Sequence, residues 1–274
     1  MKAIWVVLTM ATLATASERP QALRVMSYNI RHAAGLDGRL DPARIGAVLA
    51  AAQPDLVALQ EVDHLSSRTQ RQDQTALIAA AAGLEGVFGQ AIPLGGGGYG
   101  NAVLSRLPRR EAEVLPLPIG GEPRCALVSL FDLPGLARPL AFLATHLDFE
   151  DGDAGDQSRQ RQVAAIIAAA DALPAGTPTL VAGDLNCPPG SAPLAALTAA
   201  GFVEASAGIG PSFQANQPTV QIDHIFIRPG AYGLKLHGGR VIDEPLASDH
   251  RPIVVDLELL PTPAPRPRAW SRLG

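Results

Sequence analysis

The feature that most constrains the fold of this chain is a series of short apolar segments that each begin or end with a polar side chain. Five such positions recur along the sequence: Asn29, Glu61, His146, Asp184 and His250. Apolar runs of about four to eight residues are typical of buried strands, and reactive side chains are often presented where strands end. We therefore expect a sheet-based fold that gathers these polar groups into one site.

Strands and helices alternate in the first half of the chain. Asp41 followed by Pro42 is typical of a helix N-terminus, and the apolar spacing predicts a helix over 42–52. Glycine-linked strands over 87–147 favour antiparallel pairing, so mixed sheets fit better than a doubly wound parallel sheet. The sequence further predicts helices over 73–82, after 156 and from 191 to 201, and strands at 23–30, 56–59, 87–91, 102–105, 126–131, 140–147, 179–182, 222–227 and 253–260.

The length of the chain, 274 residues with 47% hydrophobic, suffices for one large domain. An apolar stretch over 3–13 precedes Ala14-Thr15-Ala16, which fits the cleavage rule of a secretory signal. We expect a signal peptide over 1–16, a domain over 17–260 and a disordered Pro/Arg-rich tail over 261–274. The protein is then secreted or periplasmic after cleavage near Ala16. A membrane anchor needs about 20 apolar residues, so no stable anchor is expected.

Charge and cysteine content exclude some classes of function. The net charge is −4 and the only lysines are Lys2 and Lys235, so the charge does not indicate a nucleic-acid partner. Cys125 and Cys187 are too few for a disulfide framework and are expected to be unpaired. The glycine run 95–98 lacks the Gly-Lys-Ser/Thr ending of a phosphate loop and is interpreted as a flexible hairpin loop. We expect a monomer.

Hard oxygen ligands stand at the first two polar positions. Asn29 and Glu61 offer an amide and a carboxylate with no thiolate or paired histidines nearby. Magnesium uses few protein oxygens and completes its shell with water and substrate phosphate. The pattern therefore indicates Mg²⁺, with Mn²⁺ as the alternative, and disfavours zinc.

The later polar positions offer acid-base groups. One of His146 and His250 is a candidate general base, the other a donor to a phosphoryl oxygen, and Asp223 is the best candidate to orient a base histidine. In an extended segment Asp184 and Asn186 point the same way and together hold a water or leaving oxygen. The alternative for that pair is an Asx turn at the strand end.

Seven short motifs follow one another along about residues 22–260. The motifs are Ser27-Tyr28-Asn29-Ile30, Gln60-Glu61-Val62-Asp63, Gly100-Asn101-Ala102-Val103-Leu104-Ser105, Thr145-His146-Leu147-Asp148, Gly183-Asp184-Leu185-Asn186, Ile222-Asp223-His224-Ile225-Phe226 and Ser248-Asp249-His250-Arg251-Pro252. They resemble, in the same order, the motifs of the endonuclease/exonuclease/phosphatase family, which includes nucleases, sphingomyelinases and inositol-polyphosphate phosphatases. Each motif is short, but their common order makes the resemblance specific.

The resemblance implies an α/β fold, a four-layer α/β/β/α sandwich with two mixed, mostly antiparallel sheets, and magnesium-dependent hydrolysis of a phosphoester. Glu61 is then the main metal ligand, with Asn29 beside it and Asp249 helping to hold the metal or its geometry. Some nuclease branches have an acid where this chain has Arg31, which leaves the metal site with one carboxylate fewer.

The resemblance also implies catalytic roles. His250 becomes the base for the attacking water, oriented by Asp223, and His146 contacts the phosphate. Asp184 and Asn186 position the water and the scissile group. Which group is the true base is left open by the sequence.

Two further positions match places that family members use near the substrate phosphate, Asn101 and Arg124. For Arg124 the alternative is a surface ion pair with a glutamate. His224 is interpreted as a packing residue, and the remaining histidines of the domain are expected in loops: His32, His64 and His237.

The leading hypothesis is a secreted or periplasmic metal-dependent phosphodiesterase. A nuclease acting on DNA or RNA should show a basic groove, and a sphingomyelinase or phosphoinositide-type lipid enzyme should show an exposed apolar or aromatic hairpin. Neither signal is present in a chain with 4% aromatic residues and no lysine cluster. The hypothesis from another class is a non-catalytic phosphoester-binding protein on the same fold.

Overall fold

Two six-stranded sheets pack face to face, and helices cover the outer face of each sheet. The computed structural model describes residues 19–261, so the predicted signal peptide and all but the first residue of the predicted tail lie outside the described residues. The strands, numbered along the chain, are β1 (Gln21–Asn29), β2 (Leu56–His64), β3 (Glu85–Leu94), β4 (Gly97–Ser105), β5 (Arg109–Pro116), β6 (Cys125–Phe131), β7 (Leu140–His146), β8 (Thr179–Asp184), β9 (Val203–Glu204), β10 (Asp223–Arg228), β11 (Tyr232–Val241) and β12 (Ile253–Pro261).

Both sheets are mixed and mostly antiparallel, as predicted. The first has the strand order β11-β12-β1-β2-β4-β3 and the second β5-β6-β7-β8-β10-β9. The parallel pairs are β1 with β2 and β7 with β8. Because parallel strands end at the same edge, each sheet brings two strand ends together at one end of the sandwich.

The helices are α1 (Pro42–Ala52), α2 (Gln74–Ala82), α3 (Gly152–Ala172) and α4 (Ala192–Ala199). The first two pack on the first sheet and the last two on the second. Asp41 accepts a hydrogen bond from the backbone N of Arg44 at 2.9 Å, and Asp73 caps α2 through Ala76 in the same way. These caps explain why the helix starts were readable from the sequence. Among the described residues no helix is long and apolar enough to cross a membrane.

The central core lies between the two sheets. It contains fully buried side chains from both, among them Val25 and Leu56 of the first sheet and Phe131, Phe142 and Leu180 of the second. Burying this many apolar side chains between two facing sheets stabilises the packing that brings the two sets of strand ends together.

Several elements differ from the sequence predictions. Strands β5, β9 and β11 were not predicted; β11 is an edge strand with an exposed middle and so lacks an apolar alternation. His64 ends β2 and His237 lies within β11, so the loop placement of these two histidines was wrong. The glycine run does form a hairpin, with Gly95 and Gly96 at positive φ between β3 and β4.

Candidate active site

A cleft of about 720 Å³ opens at the end of the sandwich where the polar strand ends meet. Seven of the ten predicted site residues line it: Glu61, Arg124, His146, Asp184, Asn186, Asp249 and His250. Of the other three, Asn29 and Asp223 are hydrogen-bonded to residues that line the cleft, whereas Asn101 is buried behind it.

Asn29 joins the two sheets at the floor of the cleft. Its Nδ2 donates to Glu61 Oε1 and to Asp184 Oδ2, both at 3.0 Å. The backbone N of Arg31 donates to Asn29 Oδ1 at 3.1 Å, which fixes the orientation of the amide. Asn29 therefore presents its N–H groups to the two carboxylates, and its oxygen is already engaged by the backbone.

Glu61 is placed by an irregularity in β2. The strand continues to His64, so Glu61 does not stand at its tip as predicted; the pairing with β4 instead shifts between Leu59 and Val62. Glu61 has a φ of 58°, a strained conformation for a residue with a side chain. A bulge re-aims the side chain at that point and so turns Glu61 into the cleft.

The oxygen set around Glu61 fits a divalent cation. Burial raises the pKa of Glu61, the hydrogen bond from Asn29 opposes this, and the charge of Asp249 raises the pKa further. Two carboxylates that disfavour each other's charge are a hard-oxygen donor set of the kind that Mg²⁺ uses. Asp249 itself accepts from Ser248 Oγ at 3.3 Å, and its Oδ2 lies 3.7 Å from Arg31 Nε.

A second group of ligand atoms comes from Asp184, Asp223 and His250, which offer three atoms within 4.8 Å of one another. Here the His250 imidazole is held between the two carboxylates by hydrogen bonding and charge. The donor set around Glu61 contains no imidazole, and oxygen donors are the ligands that Mg²⁺ prefers. The metal-binding role of Glu61 stays a prediction.

Strand register brings the acid-base groups side by side. His146 is the partner of Asp184 across β7 and β8, and Asp223 is the partner of Asp184 across β8 and β10. Asp184 Oδ2 lies 3.5 Å from both His146 Nε2 and His250 Nε2. One buried carboxylate oxygen thus faces two imidazoles, and burial raises the pKa of Asp184 to about 6.

His250 is oriented as predicted by Asp223, with 2.9 Å between its Nδ1 and Asp223 Oδ2. Ser212 Oγ donates to the same carboxylate oxygen at 2.6 Å, and the Phe213 ring lies 4.7 Å from the imidazole. Burial lowers the pKa of His250, but the charges of Asp223 and Asp184 outweigh it and raise that pKa to about 10. His250 would have to lose this proton before it could act as the predicted base for the attacking water, and that role stays a prediction.

His146 has the opposite charge state. Arg124 Nη1 lies 3.2 Å from His146 Nδ1, and a guanidinium can only donate. His146 therefore accepts on Nδ1 and carries its proton on Nε2, towards Asp184. Burial, with the charges of Arg124 and His250, lowers the pKa of His146 well below its ordinary value. A neutral N–H donor results, which suits the predicted contact with a phosphoryl oxygen.

Arg124 forms the ion pair with a glutamate that was considered for it, and it also lines the cleft. Its side chain is 4% exposed and lines the cleft, and its Nη1 also lies 3.0 Å from Glu122 Oε1. The guanidinium carbon lies 5.5 Å from the centre of the Phe149 ring. The ion pair with a glutamate is present, and contact with a substrate phosphate stays a prediction.

Two amides are used differently from the prediction. Residue Asn186 is not in an extended segment, since its φ is 49° and its backbone N donates to Asp184 Oδ1 at 3.0 Å. The Asx turn is thus correct and the extended segment assumed for the pair is wrong, although both residues line the cleft. The Asn186 amide donates to the Leu147 carbonyl. Asn101 is 2% exposed and donates to the Cys125 carbonyl at 2.9 Å.

The remaining sequence interpretations concern buried groups. Cys125 and Cys187 are both buried and unpaired, as expected. His224 is fully buried with one ring nitrogen 2.7 Å from Glu204 Oε1 and the other 2.8 Å from the Cys187 carbonyl oxygen. His224 therefore holds β10 to its neighbours by hydrogen bonds as well as by packing.

Several residues of the site that sequence reasoning missed lie in loops. Glu122 and Phe149 line the cleft from two loops, and Ser212 with Phe213 supports the His250 imidazole. Glu122 stands two positions before Arg124, which is the only local signal that could have linked it to the site.

Comparison with known proteins agrees with this geometry. The sequence profile of the endonuclease/exonuclease/phosphatase family matches residues 26–250. The chain belongs to this family. Members of the family are phosphoric ester hydrolases and typically use a divalent metal. No curated protein matches the sequence significantly.

Solved structures of family proteins share the fold. An endonuclease/exonuclease/phosphatase from Beutenbergia cavernae DSM 12333 is 30% identical with a TM-score of 0.74, over 89% of this chain and 72% of that one. The mannosyl-6-phosphatase of Bacteroides thetaiotaomicron VPI-5482 is 20% identical with a TM-score of 0.69, over 86% and 99% of the two chains. D. rerio TDP2, complexed with a single strand DNA product, is 21% identical with a TM-score of 0.66, over 86% and 98%.

Proposed function

We propose that this protein is an exported, Mg²⁺-dependent phosphodiesterase that acts on a small phosphodiester. The observation that carries the proposal is Asp184 Oδ2, which lies 3.5 Å from two imidazoles while Asn29 links the same oxygen to Glu61. A carboxylate, a neutral histidine, a protonated histidine and an oxygen cation site then face one cleft. Phosphoester hydrolysis needs this combination of charge neutralisation and proton transfer.

Each side chain has a defined task in this mechanism. Asp184, with a pKa of about 6, accepts the proton of the attacking water. His146 donates a hydrogen bond from its Nε2–H to a phosphoryl oxygen. Arg124 fixes the tautomer in which Nε2 carries the hydrogen. His250, held by Asp223, supplies positive charge and a proton for the departing oxygen.

Glu61 and Asp249 would hold the divalent cation, and Asn29 would orient the Glu61 carboxylate beside it. The bound cation neutralises charge on the phosphoryl oxygens and lowers the pKa of water. Mg²⁺ is proposed over zinc because the donors are oxygens, and Mn²⁺ can replace it at such a site.

A small substrate is supported by the charge of the cleft. Its lining contains six carboxylates, Glu61, Glu122, Asp151, Asp156, Asp184 and Asp249, and two arginines, Arg124 and Arg159. Both arginines are already paired, with Glu122 and with Asp156. Such a surface repels an extended polyanion, which disfavours a nuclease.

The structures that share this fold do not decide the substrate. A mannosyl-6-phosphatase and a protein bound to a DNA product have comparable TM-scores, because function depends on the site and not on the fold. A lipid phosphodiesterase gains some support from Phe149, 53% exposed in the loop after β7, and Ile119, 68% exposed in the loop before β6.

The test is hydrolysis of bis-p-nitrophenyl phosphate by metal-stripped protein to which Mg²⁺, Mn²⁺, Ca²⁺ or Zn²⁺ is returned. We expect turnover with Mg²⁺ and Mn²⁺. A panel of DNA, RNA, sphingomyelin and phosphoinositides identifies the alternative substrates. Binding of phosphoesters without turnover on any of them would make the protein a non-catalytic binder. The mass of the mature N-terminus after expression with the full leader tests export and cleavage near Ala16.

A further inference from the structure

Glu122 is the one carboxylate of the cleft that is paired with the arginine beside His146. Arg124 Nη1 lies 3.0 Å from Glu122 Oε1 and 3.2 Å from His146 Nδ1, so the same nitrogen faces both residues. The Arg124 side chain is 4% exposed, whereas that of Glu122 is 34% exposed. A buried guanidinium next to the phosphate-contacting histidine is thus partly neutralised by a carboxylate from a loop.

Part of the Arg124 guanidinium is still without a partner. Its Nε is buried and has no hydrogen-bond acceptor among the described residues. An unpaired buried N–H next to a cleft is costly unless a ligand supplies an acceptor. Because Arg124 also lines the cleft, its guanidinium retains donor capacity for a substrate oxygen while Glu122 occupies Nη1.

The charge balance of the cleft separates two classes of phosphoester. Its six carboxylates exceed its two arginines by four. A divalent cation would supply two positive charges, so the lining would stay negative. A phosphodiester brings one negative charge, whereas a phosphomonoester carries close to two at neutral pH. The negative lining therefore opposes binding of the monoester dianion more strongly than binding of the diester monoanion.

We propose that Glu122 makes the enzyme selective for phosphodiester monoanions over phosphomonoester dianions, because it occupies Nη1 of Arg124 and places a negative charge beside the phosphate position. The proposal rests on the phosphoesterase activity proposed above and names its substrate class. Glu122 acts as a specificity-determining residue, since its carboxylate blocks the Arg124 donor that a third phosphoryl oxygen would use.

The experiment compares two esters with the same leaving group, bis-p-nitrophenyl phosphate and p-nitrophenyl phosphate, at about pH 8 where the monoester is a dianion. In Glu122→Gln, kcat/KM for the monoester should rise by roughly threefold to fivefold, the size of one partly exposed ion-pair interaction. The value for the diester, which brings only one negative charge, should rise by a smaller factor. Asp156→Asn is the matched control, because Asp156 also lines the cleft and pairs with an arginine, Arg159.

Two results would overturn the proposal: a diester-to-monoester ratio that is the same in Glu122→Gln as in the wild type, or an equal change in Asp156→Asn. Calorimetric binding of inorganic phosphate and dimethyl phosphate provides a second readout that needs no turnover. Glu122→Gln should tighten binding of inorganic phosphate by the same factor and tighten binding of dimethyl phosphate by less. If the wild type hydrolyses neither ester, the proposed activity fails, and the binding measurement still decides the role of Glu122.

Discussion

The first sheet brings Glu61 to the cleft with Asn29 beside it, whereas the second brings His146 and Asp184 with Asp223 behind them. The first group contains only oxygen and amide donors, and the second contains the imidazole and carboxylate pairs that move protons. His250 joins the groups, because it precedes β12 of the first sheet and is hydrogen-bonded to Asp223 of the second. In the proposed mechanism, cation binding and proton transfer are therefore assigned to different sheets.

The largest expected effects are on activity, and they should distinguish cation binding from proton transfer. Glu61→Gln should lower both Mg²⁺ affinity and turnover, since it removes the central carboxylate of the cation site. His250→Gln should lower kcat by about 10²- to 10⁴-fold, as loss of an acid-base group does, and leave the metal affinity intact. Calorimetric Mg²⁺ titration beside phosphodiester assays measures both quantities. Equal loss of metal affinity in the two variants would contradict the division between the sheets.

The packing between the sheets should matter more for stability than any group at the cleft. Phe142 is fully buried in the central core, so Phe142→Ala should lower the free energy of unfolding by about 3–5 kcal/mol. Leu77→Ala on α2 is the control, because Leu77 is 45% exposed and its loss should change stability by less than about 0.5 kcal/mol. Denaturant titration measures the difference, and a similar cost for both variants would argue against a core shared by the sheets.

The interactions of His250 with the second sheet should make the free energy of unfolding depend on pH. Its folded pKa of about 10 lies above its ordinary value of 6.5, so the native state keeps a proton that the unfolded state loses. Stability is then complete below pH 6.5 and falls towards pH 10, by at most about 1.4 kcal/mol per unit. Urea titrations of metal-free protein between about pH 7 and 8, below the ordinary pKa of the thiols of about 8.5, should show this slope. His250→Gln should remove it, and a slope retained in that variant would mean that another group causes it.

The smallest expected effect on stability and turnover comes from the buried hydroxyl of Tyr28, next to Asn29 in the first sheet. Tyr28 precedes Asn29, is fully buried, and its hydroxyl has no partner among the described residues. Removing an unpaired buried hydroxyl should leave stability unchanged or raise it by up to about 1 kcal/mol. Tyr28→Phe should also keep full turnover. Lower activity in this variant, at unchanged thermal stability, would place Tyr28 in the site.

Local signals in the sequence were enough for much of the fold. Helix α1 has the predicted bounds because Asp41 and Pro42 define its start through short-range hydrogen bonding and a fixed φ. Strand β1 was predicted within two residues at each end, since its apolar run is buried. The edge strand β11 could not be predicted, because an exposed strand is specified by pairing with β12 and not by its own pattern.

The sequence by itself determined which side chains are available and in what order: an amide, carboxylates and histidines at strand ends, in the pattern of a phosphoesterase family. Only the tertiary structure decided which of them meet. Asp184 faces both histidines because of strand register, and Glu61 faces the cleft because of a bulge. The charge states of His146 and His250 also depend on burial and on partners far away along the chain. Local propensity is encoded in neighbouring residues, whereas register, burial and Coulomb interactions arise only when the two sheets pack together.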